Sequence, residues 1–561
     1  MQSGGPQTTQ VLETLRDELR ALELGLEVPG ATEAQALRGQ LVDQIDDYLL
    51  PRLRRMDAPL LMVVGGSTGA GKSTLVNSLV GEEVSAAGVL RPTTRAPVLV
   101  CHPEDLPAFE DDRVLPGLPR TTGGNAENGL RLVGTERLPR GLALLDAPDI
   151  DSVVEANRTL AGQLLAAADC WLFVTTAARY ADAVPWDLLH AARDRGTALS
   201  LVLDRVAPAD ASEVAGHLTQ MLTERGLDGT PVLVVFESGL EDGRLSEEAL
   251  APVRAWLDSL AADAGARADL VRRTLSGALA SLPARVAVVE ATVAQQLAAA
   301  GELRGVVDDA YAEALAEIDK TVRDGSLLRG EILARWHDVV GTGDLMRSVQ
   351  SGLGALRDRL RSMVTGAPRA EAELRTAVES GVDAVVHAAA DAAAERVSKR
   401  WRDDPGGRLL VEREPRLASA SSGLPARTAE QTRAWQGFVF ELVEREAGSK
   451  RATARLASLG INGAGLTVMI AVFASTGGLT GAEVAVAGGT SALSQKLLEA
   501  IFGDQAIRSL AARARDDLLA RVEGVLAEEA ARFLQALAPL APDPEAPRRL
   551  QAAVSGLPRP S

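Results

Sequence analysis

Residues 60–81 read LLMVVGGSTGAGKSTLVNSLVG. Gly66, Gly71, Lys72 and Ser73 stand in the spacing G-x-x-x-x-G-K-S, with Ser67, Thr68, Gly69 and Ala70 between the glycines and Thr74 after them. The flanks give the match its specificity. Leu60 to Val64 form an apolar run of strand length, and Thr74 to Val80 open a helix with Leu75, Val76 and Leu79 on one side. A strand, a glycine-rich turn and a helix N-terminus, in that order, are what a phosphate-binding loop needs. Glycines permit the turn, backbone N–H groups point inward and the helix dipole favours an anion. Lys72 then reaches the β- and γ-phosphates and the Ser73 hydroxyl ligates Mg²⁺. The stretch predicts a nucleoside triphosphate site.

Outward from this loop, residues 58–265 alternate strand and helix signals, the pattern of a mainly parallel α/β sheet. Strand candidates are residues 60–64, 97–101, 130–133, 142–145, 170–175, 198–203 and 231–236. Ligands in such sheets bind at the carboxyl ends of the strands. Three segments there carry candidate chemistry. In RPTTRAPVLV (91–100), Thr93 or Thr94 can ligate Mg²⁺ only while the γ-phosphate is present, which makes a switch. In LALLDAPDID (142–151), Asp146 follows an apolar strand, where a carboxylate can hold the Mg²⁺ water shell. In LSLVLDRVAP (199–208), Asp204 and Arg205 end a strand; the Asp could accept from guanine N1 and N2, and the Arg stem could lie on the ring. The bland alternative there is a strand-end ion pair. Glu237 and Ser238, after the last strand, are further candidates for the base.

TRAPVLV at 94–100 and DAPD at 146–149, behind the phosphate loop, resemble switch I and switch II of the bacterial dynamin-like family of P-loop GTPases. The resemblance implies a GTPase that uses GTP and Mg²⁺, with Thr94 and Asp146 joining Ser73 at the metal and self-association through the GTPase domain. Three departures stand out. Asp149 replaces the glycine after D-x-P, Asp204-Arg205-Val206-Ala207 replaces [NT]-K-x-D, and Thr68 stands where dynamins often carry a water-positioning glutamine. ATP therefore remains an alternative base. An LSGGQ-like transporter signature is missing: LSGAL at 275–279 lies in a helical pattern and lacks the second glycine and the glutamine.

A formal net charge of −17 argues against nucleic acid as a general ligand, since phosphate backbones need a basic footprint. The two cysteines, Cys101 and Cys170, sit in strand-like apolar runs and read as buried free thiols of a reducing, cytoplasmic compartment. MQSGGPQTTQ at the start has neither a basic nor an apolar signal region. Five scattered histidines show no metal-ligand spacing.

The remaining chain reads as all-α. Residues 1–57 form a helical hairpin, with Leu12, Leu15, Leu19, Leu22 and Leu26 on one stripe, a break at Pro29-Gly30, and Leu37, Leu41, Ile45 and Tyr48 resuming the period. It either decorates the nucleotide domain or packs with helices from the far end of the chain. Residues 266–455 form a helical stalk, including a seam from Val286 to Val322 that predicts a helix over 284–323, about 60 Å at 1.5 Å per residue. Helices over 327–364, 369–402 and 427–455 follow, with 403–425 read as a loop. Residues 456–474 approach the ~20 apolar residues that span a bilayer, and 456–496 predicts a hydrophobic hairpin that inserts into lipid or, alternatively, packs in a helical core. Lys450, Arg451, Arg455 and Lys496 flank it, as for a re-entrant hairpin with both ends cytoplasmic. Residues 497–540 read as a return helix of the stalk and 541–561 as a disordered tail.

The sequence thus predicts an α/β P-loop NTPase domain followed by a long helical stalk with a hydrophobic hairpin. The function it implies is a membrane-associated, dynamin-like GTPase; the alternative is a soluble regulatory P-loop NTPase whose helical half binds a protein partner.

Overall fold

A computed structural model describes residues 5–85, 97–110, 118–121, 129–148, 155–323, 368–447 and 504–558. The predicted metal ligand Thr94, Asp149, the helix over 327–364 and the hairpin 456–496 lie outside the described residues. The described residues form two compact units. The first lies within Met1–Leu22, Gly30–Ala294 and Asp543–Ser561, the second within Glu23–Pro29 and Gln295–Pro542.

The first unit is built on eight strands: β1 (Leu60–Gly66), β2 (Val98–Cys101), β3 (Arg120–Thr121), β4 (Leu130–Gly134), β5 (Leu142–Asp146), β6 (Cys170–Thr176), β7 (Ala198–Val206) and β8 (Val232–Phe236). Their order is β3-β4-β2-β5-β1-β6-β7-β8, and every pair is parallel except β2 with β5. All seven strands read from apolar runs are present. β1, β5 and β6 are buried at every residue, so their side chains read as unbroken apolar runs, as expected of a sheet covered on both faces. One face packs α4 (Lys72–Val80) and α8 (Glu247–Ala262) through Leu75, Leu79, Leu250 and Val253. The other packs α5 (Glu155–Ala166), α6 (Ala183–Arg195) and α7 (Ala211–Glu224) through Leu164, Leu189 and Leu218.

The N-terminal helices α1 (Gly5–Ala21), α2 (Ala31–Gln44) and α3 (Leu50–Arg54) belong to this unit. Ile45–Leu49, between α2 and α3, is a π-turn. Pro51 lacks the N–H that an α-helix would direct to the Asp47 carbonyl, a local cause for widening the ladder. Arg52 then buries an ion pair with Asp169, 3.1 Å away, and the same Asp169 carboxylate accepts the Leu61 N–H at 2.8 Å. The pair fastens α3 to the start of β1 and β6.

The tail is corrected. Residues after 541, expected to be disordered, include helix α14 (Ala546–Ser555), which packs on α1. Its amphipathic spacing puts Ala546, Leu550 and Ala553 inside, and Arg549 pairs with Glu18 at 2.7 Å. Proline content suggested disorder, but Pro547 sits in the first turn, where its missing N–H costs nothing. α1, α2 and α3 thus lie in the same unit as the sheet, and α14, from the far end of the chain, packs on α1.

The domain boundary is corrected too. α9 runs unbroken over Ala264–Arg323, and the first unit ends at Ala294 rather than 265. The reason is that α9 keeps working for the sheet: Val271 lies in its core, and the Thr274 hydroxyl donates to the Asp169 carbonyl at 2.9 Å and accepts the Ala198 N–H at 3.1 Å.

The second unit packs the later part of α9 with α10 (Pro368–Asp403), α11 (Pro405–Arg413), α12 (Leu424–Ala447) and α13 (Asp504–Leu537). Residues 403–425, expected to be a loop, contain α11 and a 3₁₀ turn, Pro415–Ala418. Asp404 caps α11 by accepting the Gly406 and Gly407 N–H groups at 2.8 and 3.2 Å, with Pro405 in the first turn. Trp401 and Trp435 are fully buried, and each spends its indole N–H on a carbonyl of another helix, Leu303 at 3.2 Å and Ala514 at 2.7 Å. Buried Glu529 accepts the Ser421 N–H at 2.9 Å and pairs with Arg532 at 2.7 Å. Burial alone would raise its pKa, but the Ser421 bonds and Arg532 outweigh that and hold the carboxyl below its usual value.

Leu550→Ala is expected to lower the stability of the full chain by about 2–5 kcal/mol, the usual cost of emptying a buried leucine site. Urea unfolding followed by circular dichroism would check it. A change under about 0.5 kcal/mol, the surface-substitution range, would mean the tail is not packed on α1.

Candidate nucleotide-binding site

β1 lies at the centre of the sheet, between β5 and β6, with Val64 beside Asp146 and Gly66 beside Val174. The loop leaving β1 therefore opens at the carboxyl ends of three parallel strands, where the strand order switches direction. Its residues are held through their carbonyls. Lys72, 5% exposed, donates its ammonium to the Gly66 and Ser67 carbonyls at 2.9 and 3.0 Å. The Thr68 carbonyl accepts from Arg179 at 2.9 Å and the Gly69 carbonyl from Arg205 at 3.2 Å. Four successive carbonyls thus carry cationic donors, drawn from α4, from the segment after β6 and from the end of β7. The Ala70 N–H closes a tight turn onto the Ser67 carbonyl at 3.1 Å.

The end of β7 is bent toward this loop. Its register with β8 slips between Leu203 and Val206, and Arg205 takes the left-handed conformation, φ 56°. A bulge re-aims the side chains of a strand, and a non-glycine residue at positive φ is uncommon. Asp204 accepts its neighbour's N–H at 2.8 Å. Burial pushes the Asp204 carboxyl up, opposed by that N–H and by the Arg205 charge. The approach is close: a Cβ at Gly71, where φ is 94°, would lie 2.8 Å from Asp204 Oδ2. Only glycine fits there without strain.

The candidate metal ligands also meet. The Ser73 hydroxyl donates to Asp146 Oδ2 at 2.7 Å, across from the end of β5. A hydroxyl and a carboxylate oxygen are hard donors, which suits Mg²⁺, and two protein ligands with phosphate completing the shell is its usual arrangement. Among the described residues no group of three or more His, Cys, Asp or Glu side chains forms a metal cage. Thr74 continues the helix, its carbonyl accepting the Ser78 hydroxyl at 2.6 Å. Glu237 is exposed, its N–H on the Val206 carbonyl at 2.9 Å.

Three residues escape the sequence reading. Ser85 donates its hydroxyl to the same Asp146 oxygen at 2.5 Å. Asn77 fixes that turn, accepting the Val84 and Ser85 N–H groups at 3.0 and 2.9 Å and donating to the Ser85 carbonyl at 2.7 Å. Arg179 is the third; the rule that chemistry gathers after parallel strands could have singled out its segment, TTAARYAD.

No protein-family model matches the chain. A curated relative, the probable transmembrane GTPase FZO-like, chloroplastic, of Arabidopsis thaliana, is 28% identical over 131 residues, 23% of this chain and 13% of the relative. The chain thus matches only about an eighth of that relative's length. Among solved structures, one chain of an oligomerised bacterial dynamin pair, described as sensing and tethering membranes, aligns over 98% of this chain and 94% of its own, at 10% identity and a TM-score of 0.42. Toc33 from Arabidopsis thaliana, in complex with Mg²⁺ and GMPPNP, aligns over 43% of this chain and 93% of its own, at 17% identity and a TM-score of 0.24.

Proposed function

We propose that the chain is a dynamin-like GTPase that binds GTP with Mg²⁺, hydrolyses it, and couples nucleotide state to its helical half and to a membrane surface. The observation that carries the reading is the loop Gly66–Gly71, whose carbonyls are covered by Lys72, Arg179 and Arg205 beside paired Ser73 and Asp146. A loop whose carbonyls are spoken for presents N–H groups to an anion at the start of α4.

In this reading the Lys72 ammonium, held at the Gly66 and Ser67 carbonyls, also reaches the β- and γ-phosphates. Ser73 and Asp146 would hold Mg²⁺, which would supply charge neutralisation at the phosphate oxygens. Thr94 is the γ-phosphate sensor. Asp204 and Arg205 flank the base, with the Asp204 carboxylate accepting from guanine N–H groups when ionised. Thr68 supplies no amide to orient water, which fits slow hydrolysis until a second copy docks on the nucleotide face.

Membrane contact is assigned to residues 456–496. α9 is, among the described residues, long and apolar enough to cross a bilayer. Its apolar seam is used in packing, however: Val286, Val289, Val293, Leu303 and Val307 are all buried. The place of action is the cytoplasmic face of a membrane.

Calorimetry with GTP and with ATP tests the central claim. GTP is expected to bind with Mg²⁺ at least about tenfold more tightly than ATP, about 1.4 kcal/mol. Equal affinities would remove guanine from the reading, and no affinity for either would end it. Lys72→Ala should abolish triphosphate binding, and retained micromolar affinity would count against the site. Gly71→Ala should keep the fold, by circular dichroism, while weakening binding more than tenfold, about 1.4 kcal/mol, because its Cβ must displace the Asp204 carboxylate. Liposomes that neither sediment the protein nor raise its hydrolysis rate would favour the soluble switch instead.

A further inference from the structure

Arg179 covers the Thr68 carbonyl, and its surroundings are built. The segment after β6 winds into a turn in which the Arg179 and Tyr180 N–H groups both bond the Thr176 carbonyl, at 2.9 and 3.0 Å, and the Asp182 N–H bonds the Arg179 carbonyl at 3.1 Å. The turn is braced from three sides. The Trp186 indole N–H donates to the Tyr180 carbonyl at 3.0 Å, the Tyr180 hydroxyl meets His217 Nδ1 on α7 at 2.8 Å, and the Ala177 N–H bonds the Asp204 carbonyl at 3.1 Å. Out of this frame Arg179 extends one guanidinium edge to Asp182 at 2.9 Å and another nitrogen to the Thr68 carbonyl at 2.9 Å.

That second contact bears on the phosphate site. The Thr68–Gly69 peptide is planar and trans, so its N–H points opposite to its carbonyl. Fixing the carbonyl on Arg179 fixes the direction of the Gly69 N–H. The backbone preference of Gly69 does not do so by itself, because φ is 75° and glycine populates either sign of φ at little cost. A 180° turn of this peptide is sterically open. Arg179 selects one orientation, and its charge polarises the peptide so that the N–H becomes a stronger donor.

We propose that Arg179 is a positioning residue for the phosphate loop, latching the Thr68–Gly69 peptide so that its N–H faces bound phosphate. Asp182 keeps the guanidinium aimed, and the β6–α6 turn is the strut. Arg179 acts through the backbone and does not itself move to the γ-phosphate. Its effect therefore falls on affinity for the diphosphate and triphosphate alike, and not on turnover once nucleotide is bound. The inference rests on the triphosphate reading of the loop.

The test compares the full-length wild type with Arg179→Ala and Arg179→Lys, using fluorescent GTP and GDP analogues for Kd and phosphate release for kcat. Arg179→Ala is expected to weaken both nucleotides about tenfold, the loss of roughly one charge-assisted hydrogen bond, with saturated kcat within about twofold of wild type. Arg179→Lys should recover part of that affinity, since an ammonium can still reach one carbonyl but cannot also fork onto Asp182. The Arg179 side chain is 41% exposed, so both variants should melt with the wild type. Wild-type binding with unchanged Kd in Arg179→Ala would overturn the latch alone. So would a fall in kcat at unchanged Kd, which would place Arg179 on the transition state. A wild type that binds neither nucleotide would overturn the triphosphate reading, and the latch with it.

Discussion

The constraint on which the candidate site depends is the fate of four backbone carbonyls, Gly66 to Gly69. A phosphate loop must turn its N–H groups to one side, and trans peptides then send the carbonyls to the other, away from the regular partners of strand or helix. Gly66 and Ser67 are buried, and an unpaired buried carbonyl there costs about as much as a lost hydrogen bond. Here the partners are Lys72, Arg179 and Arg205. Each cation comes from a different element, so the loop is correct only when α4, the β6–α6 turn and the β7 bulge are all in place. Local sequence makes the turn possible, and tertiary structure chooses its state.

The sheet order explains how three elements converge. With β5 and β6 on either side of β1, and β7 next to β6, the carboxyl ends that hold Asp146, Arg179 and Arg205 open beside the same loop. The β7 bulge adds what the order alone does not. A regular strand would alternate Asp204 and Arg205 to opposite faces of the sheet. The register slip after Leu203 and the positive φ at Arg205 bring both toward the phosphate loop, Asp204 against Gly71 and Arg205 onto Gly69. The ion pair expected as the bland reading of these two residues is present but long, 3.9 Å, and their nearer partners are backbone groups.

How much of this the sequence disclosed follows from what each feature depends on. Strands buried on both faces announce themselves as apolar runs, so β1, β5, β6 and β7 were legible to within a few residues. Lys72, Ser73 and Asp146 were singled out by residue type and spacing, and the structure places Lys72 on the loop carbonyls and Ser73 on Asp146. Arg179 was not, since an arginine after a strand is ordinary and its role arises from a carbonyl 111 positions away. The tail and residues 403–425 misled for one reason. Proline and glycine signal a break in a helix interior, but Pro405 and Pro547 occupy first turns, where proline is favoured. The stalk boundary was missed because α9 serves both units without interruption, and no composition change marks Ala294.

α4 carries one more consequence. Ser73, in its first turn, and Asn77, one turn on, lie on the same helical face. Ser73 bonds Asp146 directly, while Asn77 fixes the turn that delivers Ser85 to the same carboxylate oxygen. Asp146 therefore joins the phosphate loop to the point where the chain enters the segment containing Thr94. One carboxylate oxygen with two serine donors thus ties the start of α4 to the turn at Ser85.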